Sequence, residues 1–506
     1  MPSRSSRWPL ARITLLLIAS AAAGIAAVGC GSTTHARAQP TFNVSGAPVG
    51  TPIPTGFVGL SLELKALEQY AGADPKVIDP VFLRLMEDIA PQQRPVLRLG
   101  GDSTDWSWWP VRSVARPPGV KFTLTPAWMD VAHSVAASVR GRLILGIDLE
   151  AGNHTIAAAE ARAMVARIGP GFVDALELGN EPELYGSFGW YKSRSGKHVL
   201  GRPRSYDPAA FTREFSTFAP RLPPVRLAGP SSGAAAWLAQ LGRFLHTEPR
   251  VRLATIHAYP LKHCTKSTVV TVAQLLSEQS SHGLAASLAP YVTVATRHHD
   301  PLRIDEMNAV SCGGTRGVSN SFASALWILD ALFEMAKTGV SGVNVHTVPN
   351  TINEVLGPDR VGGGWRMRVH PQYYGMMMFA QAAPAGSRLL ALRTAPPAGV
   401  KVWATRATNG VIHVVVINKR PTRSGFLRLR IAGAHGPAEV KQLRAPSVHA
   451  TGGVTFGGQT FGAETATGLL AGPAAHRAVM PSGGGYPVTV PAASAMMLTV
   501  PGGEGR

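Results

Sequence analysis

The chain has 506 residues, 45% of them hydrophobic, with 54 Gly and 40 Pro. That length and composition exclude a disordered or fibrous protein and leave room for two folded domains, one of them a full barrel. Lys and Arg number 49 against 30 Asp and Glu, a formal charge of +19, which suits an acidic partner. The arginines are nevertheless spread along the chain without the dense block that marks a nucleic-acid footprint, so no nucleic-acid partner is expected.

At the N-terminus Arg4, Arg7 and Arg12 precede an apolar run from Ile13 to Val28 that is short and alanine-rich for a membrane span. Residues 1–30 therefore read as an export signal. Ala27-Val28-Gly29-Cys30 has the form of a lipoprotein box that would make Cys30 the lipidated first residue, while Ala36-Arg37-Ala38 offers an ordinary signal-peptidase site. The expected destination is the cell surface, by a lipid anchor in the membrane, or the medium. Residues 31–55 read as a linker with one strand, near Thr41–Val44, that can join the C-terminal sheet.

A regular alternation follows. Apolar, β-rich runs fall at 57–62, 96–99, 143–147, 173–178, 225–228, 253–256, 302–304 and 343–345. Helical spacing fills 78–89, 126–139, 155–168, 208–218, 234–245, 270–296 and 322–336, and a last helix fits 373–381. Eight strands alternating with eight helices predict an α/β fold, a (β/α)8 TIM barrel over 56–385. From about Arg388 the period changes to short alternating runs at 400–405, 411–417, 426–431, 439–443 and 496–500 between Gly, Pro and Asn turns. This predicts an all-β sandwich over 386–506.

The chemistry gathers where strands end. The first predicted strand runs into Glu63, and the second into Gly100-Gly101-Asp102-Ser103-Thr104-Asp105 followed by Trp106, Trp108 and Trp109. The third ends at Asp148 and Glu150, the fourth at Asn180-Glu181-Pro182, the sixth at His257 and Tyr259, the seventh at Asp305-Glu306 and the eighth at His346-Thr347. So many polar ends on one rim exceed what helix capping needs, and that rim is where barrels place catalysis. Strands four and seven face each other across the mouth, so Glu181 and Glu306 can flank one glycosidic bond as acid and nucleophile. The acid needs an apolar wall or a nearby negative charge to keep its proton, and an ionised Glu306 can supply the charge. Asp305 competes with Glu306, but strand alternation should admit only one of the two to the mouth. The tryptophans can stack sugars or pack the barrel. The loop Tyr185–Tyr206, with five Lys and Arg, can border the leaving-group side or be solvated.

Three cysteines are present. With Cys30 removed or lipidated, Cys264 and Cys312 remain as an even pair that an exported chain would oxidise to a disulfide; two free thiols are the alternative. No CxxC or HExxH spacing accompanies them, so no metal is expected.

Taken together, LELGNEPELY, RIDEMNAVSCGG and GVSNSFASALWILD resemble the acid/base and nucleophile segments of glycoside hydrolase family 79, the family of β-glucuronidases and heparanase. The resemblance runs from about Val58 to Ala383 and implies a retaining barrel followed by a β-sandwich. It implies Glu181 as acid/base, Glu306 as nucleophile, and Asn180 as partner of the sugar 2-hydroxyl. Glu63 and Asp102 would bind sugar, while His257 and Tyr259 line the mouth. A uronate carboxylate would be held by turn amides at Gly313, with Cys312 or Gly314, and by the phenol of Tyr373. No cofactor is implied. The expected activity is cleavage of β-linked glucuronic acid from a carbohydrate. A retaining β-glycosidase acting on neutral sugars and a non-catalytic surface polysaccharide-binding protein are the alternatives.

Overall fold

In the computed structural model, which describes residues 40–112, 114–265 and 267–502, the eight apolar runs are eight parallel strands closed into a barrel. They are Val58–Glu63, Val96–Gly100, Arg142–Ile147, Val173–Leu178, Leu227–Ser232, Val251–Ala258, Leu302–Met307 and Gly342–Thr347. The leader and Cys30 lie outside the described residues. Among the described residues no helix is long and apolar enough to cross a membrane.

The helices begin where local chemistry starts them. Asp79, Thr125, Asn153 and Asp207 each accept backbone N–H groups of the following turn, and three of these caps are followed by proline in the first turn. Two predicted helices are broken. The segment predicted at 234–245 is Ala235–Leu238 and Leu241–Thr247. The one at 270–296 is Val272–Leu275, a wide turn at Gln279–Gly283, and Leu284–Arg297. That wide turn presents the Ser281 hydroxyl to Asp330 at 2.6 Å and the Ser280 carbonyl to Trp327 Nε1 at 2.7 Å, both on the next helix.

That next helix, Phe322–Thr338, is buried along almost all its length. The second domain covers it. Ten strands form one sheet that wraps around its own apolar core of Phe42, Val402, Val414, Leu429, Val488 and Leu498. The strand Thr41–Val49 joins this sheet as expected, antiparallel to Arg388–Leu392 and parallel to Gly425–Ile431. Strands Val400–Arg406, Ile412–Asn418 and Ser494–Val500 are buried on both faces, because Trp403, Val415, Ile417 and Met497 pack into the barrel's core. Lys419, 4% exposed, donates to Asp330 at 2.6 Å across this junction. A buried cation on one domain thus meets a buried anion on the other, and removing either alone would leave an uncompensated buried charge.

Candidate active site

The strand-end residues converge on a feature that periodicity did not single out, Arg98. It sits mid-strand in Val-Leu-Arg-Leu-Gly, points into the lumen and is fully buried. Its Nε lies 2.6 Å from Glu177 and 3.2 Å from Asp305, its Nη1 2.8 Å from Glu306, and its Nη2 2.8 Å from Asn180 Oδ1. A lone charge inside an apolar strand was the available signal, and Glu177 inside Ala-Leu-Glu-Leu was its counterpart.

The expectation that only one of Asp305 and Glu306 could enter the mouth is corrected. The ladder shifts register between Ile304 and Met307, so the side chains of both residues turn inward, and both reach Arg98. Asp305 is the deeper of the two and has no exposure, whereas Glu306 keeps an open edge. Glu306 also accepts the Tyr259 hydroxyl at 2.8 Å. Burial opposes its charge, but His346, His257 and Arg98 hold its carboxyl far below the usual carboxylate range. Glu306 is therefore an ionised carboxylate.

Glu181 ends the fourth strand in a left-handed turn, φ 45° and ψ 57°, pinned by its N–H to the Ser231 carbonyl at 2.9 Å. A non-glycine residue held there stores strain that its surroundings must offset. His257 Nδ1 lies 2.9 Å from Glu181 Oε1, and its Nε2 3.0 Å from Ser231 Oγ. Burial disfavours the imidazolium, yet Glu306 and Asp305 outweigh it and raise the His257 pKa well above its ordinary value. Burial pushes the Glu177 carboxyl up to about 8, although Arg98 pulls it the other way. A carboxylate oxygen of Glu181, one of Glu306 and a His257 nitrogen all lie within 4.8 Å of one another. Such a trio could in principle hold a metal. Here His257 is already bonded to Glu181, and the Arg98 guanidinium occupies Glu306, which is the hydrogen-bonding of an acid pair.

The sugar-binding candidates are brought to the same rim. With Asn180 Oδ1 taken by Arg98 and its N–H by Asp105 at 3.0 Å, the Asn180 Nδ2 has no partner among the described residues and can donate to a ligand. Glu63 accepts the N–H groups of Asp102 and Ser103 at 3.2 and 2.7 Å. Gly101 makes this approach possible, since a Cβ there would stand 2.6 Å from Glu63 Oε1. Asp102 is pushed up to about 8 by lost hydration and by Glu63, Glu306 and Glu181; its exposure lets water screen part of that effect. Asp105 receives the N–H groups of Leu149, Glu150 and Asn180 and the Tyr185 hydroxyl, tying three strand ends together.

A cavity beside Glu181 is lined by Asp102, Trp106, Glu150, Asn180, Phe188 and Trp190. Of the tryptophan cluster only Trp106 faces this cavity; Trp108 is buried and Trp109 packs against the core. The basic loop is a hairpin, Gly189–Lys192 with His198–Leu200, whose Arg202 folds back onto Glu214 at 2.5 Å. The residue it exposes next to the acid is apolar, Phe188.

Cys264 and Cys312 form the expected disulfide, joining the loops after strands six and seven. Cys312, Gly313 and Gly314 have φ of 58°, 87° and 89°, a run that needs glycine at its centre. The amides of Gly313 and Gly314 have no acceptor among the described residues, and a Cβ on Gly314 would meet Asn353 Oδ1 at 2.4 Å. Tyr373 is a correction. Its hydroxyl donates to the Leu85 carbonyl at 2.7 Å, and the side chain is fully buried against Phe461. The helix presents it outward to a neighbouring helix, so it does not reach a ligand in the mouth.

Residues 402–497 match the family model of the glycosyl hydrolase family 79 C-terminal beta domain. Among solved structures, a 4-O-α-L-rhamnosyl-β-D-glucuronidase from Fusarium oxysporum 12S superposes with a TM-score of 0.72 at 21% identity, over 91% of this chain and 100% of that one. A family 51 arabinofuranosidase from Xanthomonas axonopodis pv. citri gives 0.64 at 15% identity, over 91% and 99%. A family 30 endoxylanase from Clostridium papyrosolvens C71 gives 0.53 at 11% identity, over 91% and 100%. No curated protein sequence matches the chain. The resemblance to family 79 read from the sequence therefore holds: the chain carries that family's C-terminal β domain behind a TIM barrel.

Proposed function

We propose that this protein is an exported glycoside hydrolase that removes β-linked glucuronic acid with retention of configuration. The observation that carries the reading is the pair of carboxylates on opposed strands, Glu181 and Glu306, with oxygens within 4.8 Å. Retaining enzymes hold their two carboxyl groups about 5–5.5 Å apart, whereas inverting enzymes leave a wider gap for water. In this mechanism Glu306 attacks the anomeric carbon while Glu181 protonates the leaving oxygen. Glu181 then takes a proton from water, which releases the sugar from Glu306. Asn180 Nδ2 donates to the 2-hydroxyl as charge develops on the ring. Arg98 and Tyr259 orient Glu306, and His257 orients Glu181. A uronate would be met by the free amides of the Gly313–Gly314 turn. The rhamnosyl-glucuronidase likeness supports the same choice of sugar.

The absence of Tyr373 from the mouth favours one rival, a neutral-sugar glycosidase, because it removes an expected carboxylate donor. Turnover of aryl β-glucuronide against aryl β-glucoside, with the product anomer read by NMR, separates the two. Preference for the glucoside would refute the uronate reading, and an α-anomer as first product would refute retention. Glu306→Ala should lose turnover by several orders of magnitude, and azide should rescue it as an α-linked azido sugar. Unchanged activity would remove Glu306 from the mechanism. Lipidation at Cys30 belongs to the same proposal and is tested by metabolic labelling with a fatty acid.

A further inference from the structure

The charge excess is concentrated where the catalytic reading has no use for it. Between residues 386 and 502 the sequence holds 12 Lys and Arg but only two acids, Glu439 and Glu464. Three strands of this domain pack on the barrel through Trp403, Val415, Ile417 and Met497, whereas Gly425–Ile431 turns Leu427, Leu429 and Ile431 to the domain's own core. Burial alternates along that strand, leaving Phe426, Arg428 and Arg430 on its open side. Arg430 lies beside Asn43 on the neighbouring strand. Arg393 follows Leu392, which pairs with Val44 from the other side of that strand. The two arginines therefore flank Asn43 on strands two spacings apart, roughly 10 Å between backbones. They line a cavity of about 460 Å³ with Asn43 and Ser45. No Asp or Glu lines that cavity, and neither arginine is paired with an acid among the described residues. Phe426, 57% exposed, continues the stripe with an open aromatic face.

We infer that this stripe is a binding surface for an acidic polysaccharide, separate from the cleavage pocket. Unpaired planar guanidinium forks match carboxylate or sulfate groups, an amide and a hydroxyl between them suit sugar hydroxyls, and an exposed ring can stack a pyranose. The choice of a glycan over other polyanions rests on the hydrolase reading above. The stripe would hold the polymer while the barrel works on it, and it shares no lining residue with the cavity beside Glu181.

The test measures binding rather than turnover. The full chain and the variant Arg393→Gln/Arg430→Gln are titrated with polygalacturonate, a neutral glucan, phosphatidylglycerol vesicles and duplex DNA at low salt. The expected result is binding to polygalacturonate, none to the glucan, and an affinity at least about tenfold weaker in the double variant, since each lost fork is a charge-assisted contact. Turnover of a small aryl glycoside should be unchanged, and Arg477→Gln should bind as the parent does. Should the glutamine pair not fold, Arg393→Lys/Arg430→Lys keeps the charge, and its expected weakening of several-fold tests the fork geometry. Equal polygalacturonate binding by parent and variant would overturn the inference. So would equal or tighter binding of vesicles or DNA, which would make the stripe a lipid or nucleic-acid surface. Retained, arginine-dependent binding without glycosidase activity would instead refute the catalytic reading and leave the stripe standing.

Discussion

Replacing Arg98 by methionine tests whether the lumen cation sets the chemistry of Glu306 or merely fills the barrel. The guanidinium stands 2.8 Å from Glu306, 2.6 Å from Glu177 and 3.2 Å from Asp305. Unit charges about 4 Å apart interact by about 4 kcal/mol at the effective dielectric suited to buried pairs, or about three pKa units. That is a ceiling for the rise in the Glu306 pKa, because His346 and His257 remain beside it. Glu306 must be ionised to attack, so a raised pKa removes activity from the acid side. The acid limb of kcat/KM should therefore move to higher pH, by one unit or more on the order set by that ceiling. Breaking a buried pair also costs about 3–5 kcal/mol of stability, readable as a lowered denaturant midpoint. An acid limb that stays in place while the protein is destabilised would show that Arg98 packs the barrel without tuning Glu306.

Glu177→Gln should change little at about pH 4 and gain relative stability above it. Glu177 is raised to about 8 in the folded protein, so its contribution is complete below the ordinary carboxylate pKa and is lost as pH rises through about 8. The parent's melting temperature should fall across that window more steeply than the variant's, and parallel curves would refute the raised pKa of Glu177. Tyr373→Phe should leave KM for a glucuronide unchanged and cost about 1 kcal/mol of stability, the worth of its bond to the Leu85 carbonyl; a raised KM would return Tyr373 to the pocket. Cys264→Ser/Cys312→Ser should raise KM for a glucuronide several-fold with kcat largely kept, because it frees the Gly313–Gly314 turn; unchanged kinetics would separate the bridge from the turn's function.

The barrel was legible because seven of its eight strands are compact apolar runs ending in a polar residue, and because Pro and Asp or Thr announce the helices at Pro80, Pro126 and Pro208; the fifth, expected at 225–228, lies at Leu227–Ser232. Glu181, Glu306, Asn180, His257 and Tyr259 were legible as strand ends, and the even cysteine pair was legible by arithmetic. What stayed hidden depends on tertiary position. Arg98 and Glu177 look like interruptions of apolar strands until the barrel closes and gives them each other. The inward turn of both Asp305 and Glu306 depends on a register shift that alternation does not encode. Tyr373 went wrong because its place near the start of a helix says nothing about which way the ring points. The strands Arg388–Leu392 and Tyr486–Val490 were missed because they are short and broken by charge or proline.

The strand Thr41–Val49 fills a slot whose walls, Arg388–Leu392 and Gly425–Ile431, come more than three hundred residues later. During synthesis that ribbon must wait, unpaired, until nearly the whole polypeptide has emerged, so completion of the C-terminal module is a late, long-range event. A recombinant piece started at residue 386 would carry an open cleft with two raw edges, inviting foreign strands to pair there. A synthetic copy of 40–50 supplied in trans should mend it.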